Sequence, residues 1–388
     1  MGRLPERGVS WIEVMRRIRL LRASLPDHFR GFVGSMTTVP LPIARLAFAE
    51  MQEINANDVA TFREVRELEL EVVEAMGEIL GGRGCTGMIT SGGTEANIAA
   101  LYLAREHGYE TVYYSPVTHD SITKAIHLLR MRGVEVPHHG FRMDVASLRR
   151  LCRERGRGVA VATVGTTGFG TIDPVEEIEE VAEECDLVIH VDAAFGGFVA
   201  PYLYPERRLG FENPRVVSAT MDPHKLGLAP VPAGGLVVRD CEWFAPLEFE
   251  ARYMPAGRQI GLLGTRSAGS IAAAWASIMS MGAEGYRHLA QELMERTRML
   301  IHLAREVAGL EPVTEPEVPV LCLSFEEDRE LLEALRRRGF YLYLCGLVKG
   351  VRVVVMPHLI PETIRSLAEA LGDCVRGLLR ARSRGYGA

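Results

Sequence analysis

Lysine is nearly absent from this 388-residue chain. Of 44 Lys+Arg residues only Lys124, Lys225 and Lys349 are lysines, leaving 41 arginines. Asparagine and glutamine number seven together, and so few thermolabile amides point to a thermophilic source. The seven cysteines, at 85, 152, 185, 241, 322, 345 and 374, contain no C-x-x-C pair. An odd, scattered set of this kind reads as free thiols in a reducing compartment, not as a disulfide frame or a zinc site. Basic charge is not in excess either: a net charge of −6 lacks the positive footprint of a nucleic-acid or membrane-surface partner. The first twenty residues are charged throughout, with no apolar h-region to suggest a signal peptide, and Glu6 stands where a myristoylation signal needs Ser or Thr. The longest weakly polar stretch, SAGSIAAAWASIMSMGA (267–283), is too short and too rich in small residues for a membrane span and reads as a helix buried between domains or subunits. These absences leave a soluble, cytoplasmic globular protein, 47% hydrophobic and 24% charged, long enough for two or three domains.

Several catalytic patterns are missing as well. No lysine follows a glycine, so there is no Walker A loop, and neither H-E-x-x-H nor G-x-S-x-G occurs. GRGCTG (82–87) matches G-x-G-x-x-G in form but follows a helix and precedes a strand, the reverse of a dinucleotide fingerprint.

The patterns that are present describe an α/β protein. Ser10-x-x-Glu13 forms a capping box ahead of apolar residues at helical spacing, and the first 50 residues read as an N-terminal arm. A helix follows through 64–80. Short apolar runs at 86–90, 111–114, 159–164, 187–191, 216–220 and 235–238 then alternate with helical stretches at 95–106, 121–131, 145–155 and 174–184. Such alternation predicts a mainly parallel sheet with helices on both faces, occupying a large domain over 51–282. A long helix at 286–307 and strands near 318–325 and 351–355 predict a smaller α+β domain over 283–388.

The polar residues that interrupt the strand ends carry the chemistry, since ligands of parallel sheets bind beyond the carboxyl ends of the strands. SGGTEAN (91–97) places two glycines and Thr94 between a strand and a helix, where backbone N–H groups and a hydroxyl can face an anion or simply cap a turn. Asp192 closes an otherwise apolar run in HVDAAFGG, where a buried carboxylate needs a partner such as a helix cap, an arginine or a protonated ring nitrogen. His119 follows another strand. Lys225, in TMDPHKLGLA, is a lysine in a chain that prefers arginine, and only lysine supplies a neutral amine nucleophile. A phosphate cradle, an acid for a pyridinium, a stacking imidazole and a scarce lysine together describe a site for pyridoxal 5'-phosphate, which needs a Schiff-base lysine and an acidic partner for its ring nitrogen.

SGGTEAN, HVDAAFGGFVAPY, TMDPHKLGLAPVPAGG, LLGTRS and VRVVVMPH, in this order, resemble the archaeal L-tyrosine/L-aspartate decarboxylases, group II pyridoxal-phosphate decarboxylases of fold type I. The resemblance runs from about Gly34 to about residue 375. It implies that Lys225 carries the cofactor, Asp192 pairs with the pyridine nitrogen, and His119 and Ala194 cover the two ring faces. Gly93, Thr94, His224 and Ser218 would bind phosphate, and Thr166 would help to hold the ring. Gly264 and Thr265 would complete the phosphate site of a neighbouring subunit, which implies a homodimer with active sites at its interface. Arg352 would bind the substrate carboxylate, and Tyr253 would return a proton to the substrate carbon. The expected reaction is α-decarboxylation of an L-amino acid, aspartate giving β-alanine for coenzyme A synthesis or tyrosine giving tyramine. A carbon–carbon lyase of the sphingosine-phosphate-lyase type and a cofactor-binding subunit without catalysis are the alternatives.

Overall fold

The computed structural model describes residues 4–385. Its centre is a seven-stranded sheet. The strands in chain order are β1 (Thr86–Thr90), β2 (Thr111–Tyr114), β3 (Arg132–Glu135), β4 (Gly158–Thr163), β5 (Leu187–Asp192), β6 (Val216–Met221) and β7 (Gly234–Val238). They lie in the order β1-β7-β6-β5-β4-β2-β3. Only β7 runs against its neighbours. The middle strands, β4, β5 and β6, are buried along their whole length, which is why their sequences are predominantly apolar, interrupted chiefly by His190 and Asp192 of β5 and by Ser218 and Thr220 of β6.

Helices α3 (Arg63–Ile79), α4 (Gly93–Glu106), α5 (Ser121–Leu129), α6 (Val145–Arg155) and α7 (Val175–Cys185) flank the sheet, and α1 (Trp11–Ser24) and α2 (Pro42–Met51) precede them. Ser10 caps α1 by accepting from Glu13 N, as the capping box requires. No residue of α1 is buried, and its apolar side chains Trp11, Ile12, Ile18 and Leu21 are exposed. The small-residue stretch 267–283 forms a buried helix, and a second helix follows it directly. The two, labelled together α8 (Ala268–Ala308), are separated by a non-helical break at Gly282, whose φ of 56° is a left-handed value that glycine adopts without a Cβ penalty.

After α8 comes a three-stranded antiparallel sheet of β8 (Val320–Ser324), β9 (Tyr343–Leu344) and β10 (Gly350–Val354), with β10 in the middle. It packs with α9 (Asp328–Arg337) and α10 (Pro361–Gly385). An ion-pair cluster ties this part to the large sheet. Glu317 receives Arg142 at 2.7 Å and Arg207 at 2.9 Å, and also accepts from Ile172 N, fixing the 165–173 loop that follows β4.

Two disulfides correct the reading of the cysteines as free thiols. Cys152 at the end of α6 is bonded to Cys185 at the end of α7, and Cys322 on β8 is bonded to Cys345 just beyond β9. Cys85, Cys241 and Cys374 remain free. Pairing is decided by neighbours in space, here adjacent helices and strands flanking β10, and sequence separations of 33 and 23 residues conceal it. The cysteines therefore lend no support to a reducing compartment. Among the described residues no helix is long and apolar enough to cross a membrane.

Candidate active site

A cavity of about 300 Å³ opens at the carboxyl ends of β1, β4, β5 and β6. Each of these strands delivers its last residues, or the turn after it, to the cavity wall. The turn after β1 brings Gly92, Gly93 and Thr94 and starts α4, so the first N–H groups of that helix face the opening. Only glycine fits at 93, because a Cβ there would lie 2.8 Å from Asp222 Oδ2 and 3.3 Å from Ala194 Cβ. β5 ends in Asp192, which is buried and accepts from Asn97 Nδ2 at 2.9 Å and from Ala194 N at 3.2 Å. β6 leads into Asp222, His224 and Lys225, and His119 closes the other side.

The charge balance inside is unusual. Lys225 Nζ pairs with Asp222 Oδ2 at 3.0 Å, and the second oxygen of this buried carboxylate has no hydrogen-bond partner. Burial lowers the pKa of His224, partly opposed by Asp222. Its Nδ1 accepts from Ala233 N at 3.2 Å, which leaves the proton of the neutral ring on Nε2. The cavity thus presents an amine, an imidazole N–H, helix-end N–H groups and three buried carboxylates, Glu95, Asp192 and Asp222.

The sequence candidates separate into two groups. Gly93, Thr94, His119, Asp192, Ala194, His224 and Lys225 meet around this one cavity. Thr166 does not reach it: its hydroxyl is tied to Thr171 beneath the loop, and Thr167 lines the wall instead. Ser218 is also withdrawn, hydrogen-bonded to His190 Nδ1 at 2.9 Å. Gly264 and Thr265 are exposed on a loop outside the cavity. That loop is anchored by Asn55 and Asn57, which accept from Arg266 N and Nε, and by the buried Arg266–Glu69 ion pair. Tyr253 is 79% exposed on the surface. Arg352 lines a neighbouring cavity that shares His119 and Thr167 with the first.

Arg352 is itself distinctive. Its guanidinium donates to Thr167 O at 3.2 Å and Gly34 O at 3.0 Å, while its buried Nε has no partner. It makes no ion pair among the described residues, and burial lowers its pKa. A half-buried cation over the Tyr343 ring, without a carboxylate partner among the described residues and beside an open cavity, has the charge to receive an anion.

Residues 49–326 match the family model described as the pyridoxal-dependent decarboxylase conserved domain. The chain belongs to this family. A protein of Methanothrix thermoacetophila named probable L-tyrosine/L-aspartate decarboxylase is 35% identical over 385 residues, covering 98% of this chain and 100% of the relative. One of Archaeoglobus fulgidus named probable L-aspartate decarboxylase is 36% identical over 362 residues, covering 92% and 97%. Among solved structures, Burkholderia pseudomallei sphingosine-1-phosphate lyase superposes with a TM-score of 0.88 at 22% identity, covering 100% of this chain and 95% of that one. Lactobacillus brevis glutamate decarboxylase gives 0.84 at 19% identity, covering 97% and 95%. Both likenesses show the shared fold of pyridoxal-phosphate enzymes.

The residues of this pyridoxal-phosphate-dependent decarboxylase fit its cofactor. The glycine turn leaves space that a Cβ would fill, the helix start offers donors to a phosphate, and Asp192 offers a carboxylate to a protonated ring nitrogen. Sequence reasoning passed over Asn97 and His190, and of the Thr166-Thr167 pair that follows β4 it gave the role to Thr166. Asn97 was the more accessible of the first two, since it lies one helical turn after Thr94 and so shares its face of α4.

Proposed function

We propose that this decarboxylase acts on L-aspartate, releasing its α-carboxylate as carbon dioxide and leaving β-alanine, with L-tyrosine as a second substrate. The observation that carries the reading is Arg352, the half-buried guanidinium without a carboxylate beside the cofactor cavity. An ion pair to the carboxylate that departs would stabilise the substrate more than the transition state, in which that charge is dispersing. Arg352 is better used on a carboxylate that stays, and aspartate has one. The name of the Methanothrix relative supports the same pair of substrates, and that of the Archaeoglobus relative supports aspartate.

In this reading Lys225 would carry the cofactor, Thr94, His224 and the N–H groups around Gly93 would hold its phosphate, and Asp192 would pair with its ring nitrogen. His119 and Ala194 would cover the ring faces, and Thr167 would take the place given to Thr166. The cofactor, when bound, supplies the electron sink for decarboxylation. The protein's own residues orient the substrate, exclude water and return a proton, for which Tyr253 is the candidate. Tyr253, Gly264 and Thr265 are exposed and away from the cavity, and α1 has no apolar partner of its own. All four features suit a second copy that completes the site, as an isolated helix of 14 residues is marginal in water.

Carbon dioxide release by cofactor-loaded protein, measured against the twenty L-amino acids with amine products identified by mass spectrometry, tests the proposal. β-Alanine from aspartate supports it. Tyramine without β-alanine would reverse the ranking, and no release from any substrate would leave a lyase or a catalytically silent subunit.

A further inference from the structure

Asn97 borders the cavity, 1% exposed, and all four hydrogen-bonding positions of its amide are filled. Nδ2 donates to Asp192 Oδ2 at 2.9 Å and to Ser121 Oγ at 2.8 Å. Oδ1 accepts from Thr220 Oγ1 at 2.6 Å and faces His190 Nε2 at 2.9 Å. The orientation of the amide is forced: a flipped Asn97 would set its carbonyl oxygen against the Asp192 carboxylate.

That orientation sets the protons around it. Because Asn97 Oδ1 only accepts, His190 carries its proton on Nε2, and its bare Nδ1 accepts from Ser218 Oγ at 2.9 Å. Burial keeps His190 neutral, with its pKa lowered to about 4. On the other side Ser121 Oγ receives an Asn97 proton and passes its own to His119 Nδ1 at 2.9 Å, which also accepts from Ser121 N at 3.2 Å. One buried chain therefore runs from Ser218 through His190 and Asn97 to Asp192, and branches through Ser121 to His119. Apart from His119 every member is buried.

We propose that Asn97 is a positioning residue that fixes the Asp192 carboxylate and the His119 imidazole as one unit, so that the contact to the ring nitrogen and the contact to the ring face are set together. This rests on the reading of Asp192 and His119 given above. Four bonds to one amide are more than packing requires, and networks of buried polar groups hold geometry more rigidly than isolated pairs. The effect of Asn97 passes through Asp192 and Ser121, the groups to which its amide donates.

The test uses the cofactor-loaded enzyme and reads the pH at which its visible absorption band changes, alongside kcat and KM. Asn97→Asp keeps the shape but turns a donor to Asp192 into an acceptor, so two carboxylates must share a proton. The expected result is a shift of that pH by about one unit or more and a fall in kcat of about tenfold or more, with KM changed by less than about threefold. A folded, loaded Asn97→Asp enzyme with an unmoved band and kcat within threefold would overturn the proposal. Thr220→Val covers the case in which Asn97→Asp does not load. It removes one bond to Asn97 Oδ1 and none to Asp192, and a moved band supports the proposal while an unmoved band overturns it. Lys225→Ala separates the two claims, because a visible band that survives in that variant would refute the cofactor reading of Lys225 and not the role of Asn97.

Discussion

Lys225 Nζ lies 3.0 Å from Asp222 Oδ2, on a carboxylate that is 1% exposed and whose other oxygen has no partner. The pair stores two charges where water is largely excluded, with the His224 ring beside it. Asp222→Asn keeps the shape and leaves the ammonium without its counter-ion. The expected cost to the cofactor-free chain is about 1–3 kcal/mol, below that of a fully buried pair because Lys225 retains some solvent contact. Thermal unfolding of the apoprotein measures it, and an unchanged midpoint would show that the pair contributes nothing.

Lys225→Arg distinguishes charge from nucleophilicity. The guanidinium can still pair with Asp222, so the variant is expected to fold with near-normal stability. It offers no neutral amine, so the visible band of the bound cofactor should vanish and decarboxylation should fall by about a thousandfold or more. In a chain of 41 arginines the substitution is otherwise mild. Retained colour and activity would remove Lys225 from the chemistry.

The large sheet was legible because its middle strands are buried on both faces and so read as predominantly apolar runs between helical segments. The cavity was legible where residues sit at strand ends, as with Thr94, Asp192 and Lys225. What stayed hidden depends on side-chain direction or on neighbours in space. Thr166 and Thr167 are adjacent and identical in type, and only the loop fold decides that the first bonds to Thr171 while the second faces the cavity. Asn97 looks like any helical amide until β5, β6 and α5 bring Asp192, Thr220, His190 and Ser121 around it. The Cys152–Cys185 and Cys322–Cys345 bonds belong to the same class of hidden feature.

Arg352→Gln removes the charge proposed to hold the carboxylate that remains on the substrate. Loss of a charge-assisted, two-pronged contact of about 1.5–3 kcal/mol predicts a KM for aspartate raised by about 10–100-fold, with a smaller change in kcat. Arg352→Lys should recover only part of it. For tyrosine, which has no second carboxylate, the change in KM should be much smaller. Equal effects on the two substrates in steady-state kinetics would place Arg352 on the departing carboxylate.

Thiol titration checks the cysteine pairing. The unfolded, unreduced protein should show three reactive thiols and the reduced protein seven. Closing loops of 33 and 23 residues restricts the unfolded chain, so Cys152→Ser and Cys322→Ser are each expected to cost about 2–4 kcal/mol in the oxidised protein. Seven thiols before reduction would restore the reading of free cysteines.

Acid sensitivity follows from buried histidines. Burial lowers both His190 and His358 to about 4 from an ordinary 6.5. As the pH falls from 6.5 to 4 the unfolded chain takes up protons that the native imidazoles refuse, so stability drops through that window. Asp173 works in the opposite sense: burial raises it to about 6 from 3.8, so the native chain binds its proton first and gains stability as the pH falls below 6. Two histidines against one carboxyl leave a net loss. His358 isolates the effect, since it lies outside the cavity, accepting from Thr38 Oγ1 at 2.8 Å and donating from Nε2 to Phe32 O at 2.9 Å. His358→Gln is expected to be less stable than the native chain at pH 7, and the gap should narrow by about 1–3 kcal/mol as the pH is lowered to 4. Denaturant unfolding curves at pH 7, 6, 5 and 4 measure the gap. Parallel losses in the two proteins would mean that His358 protonates as readily in the fold as outside it.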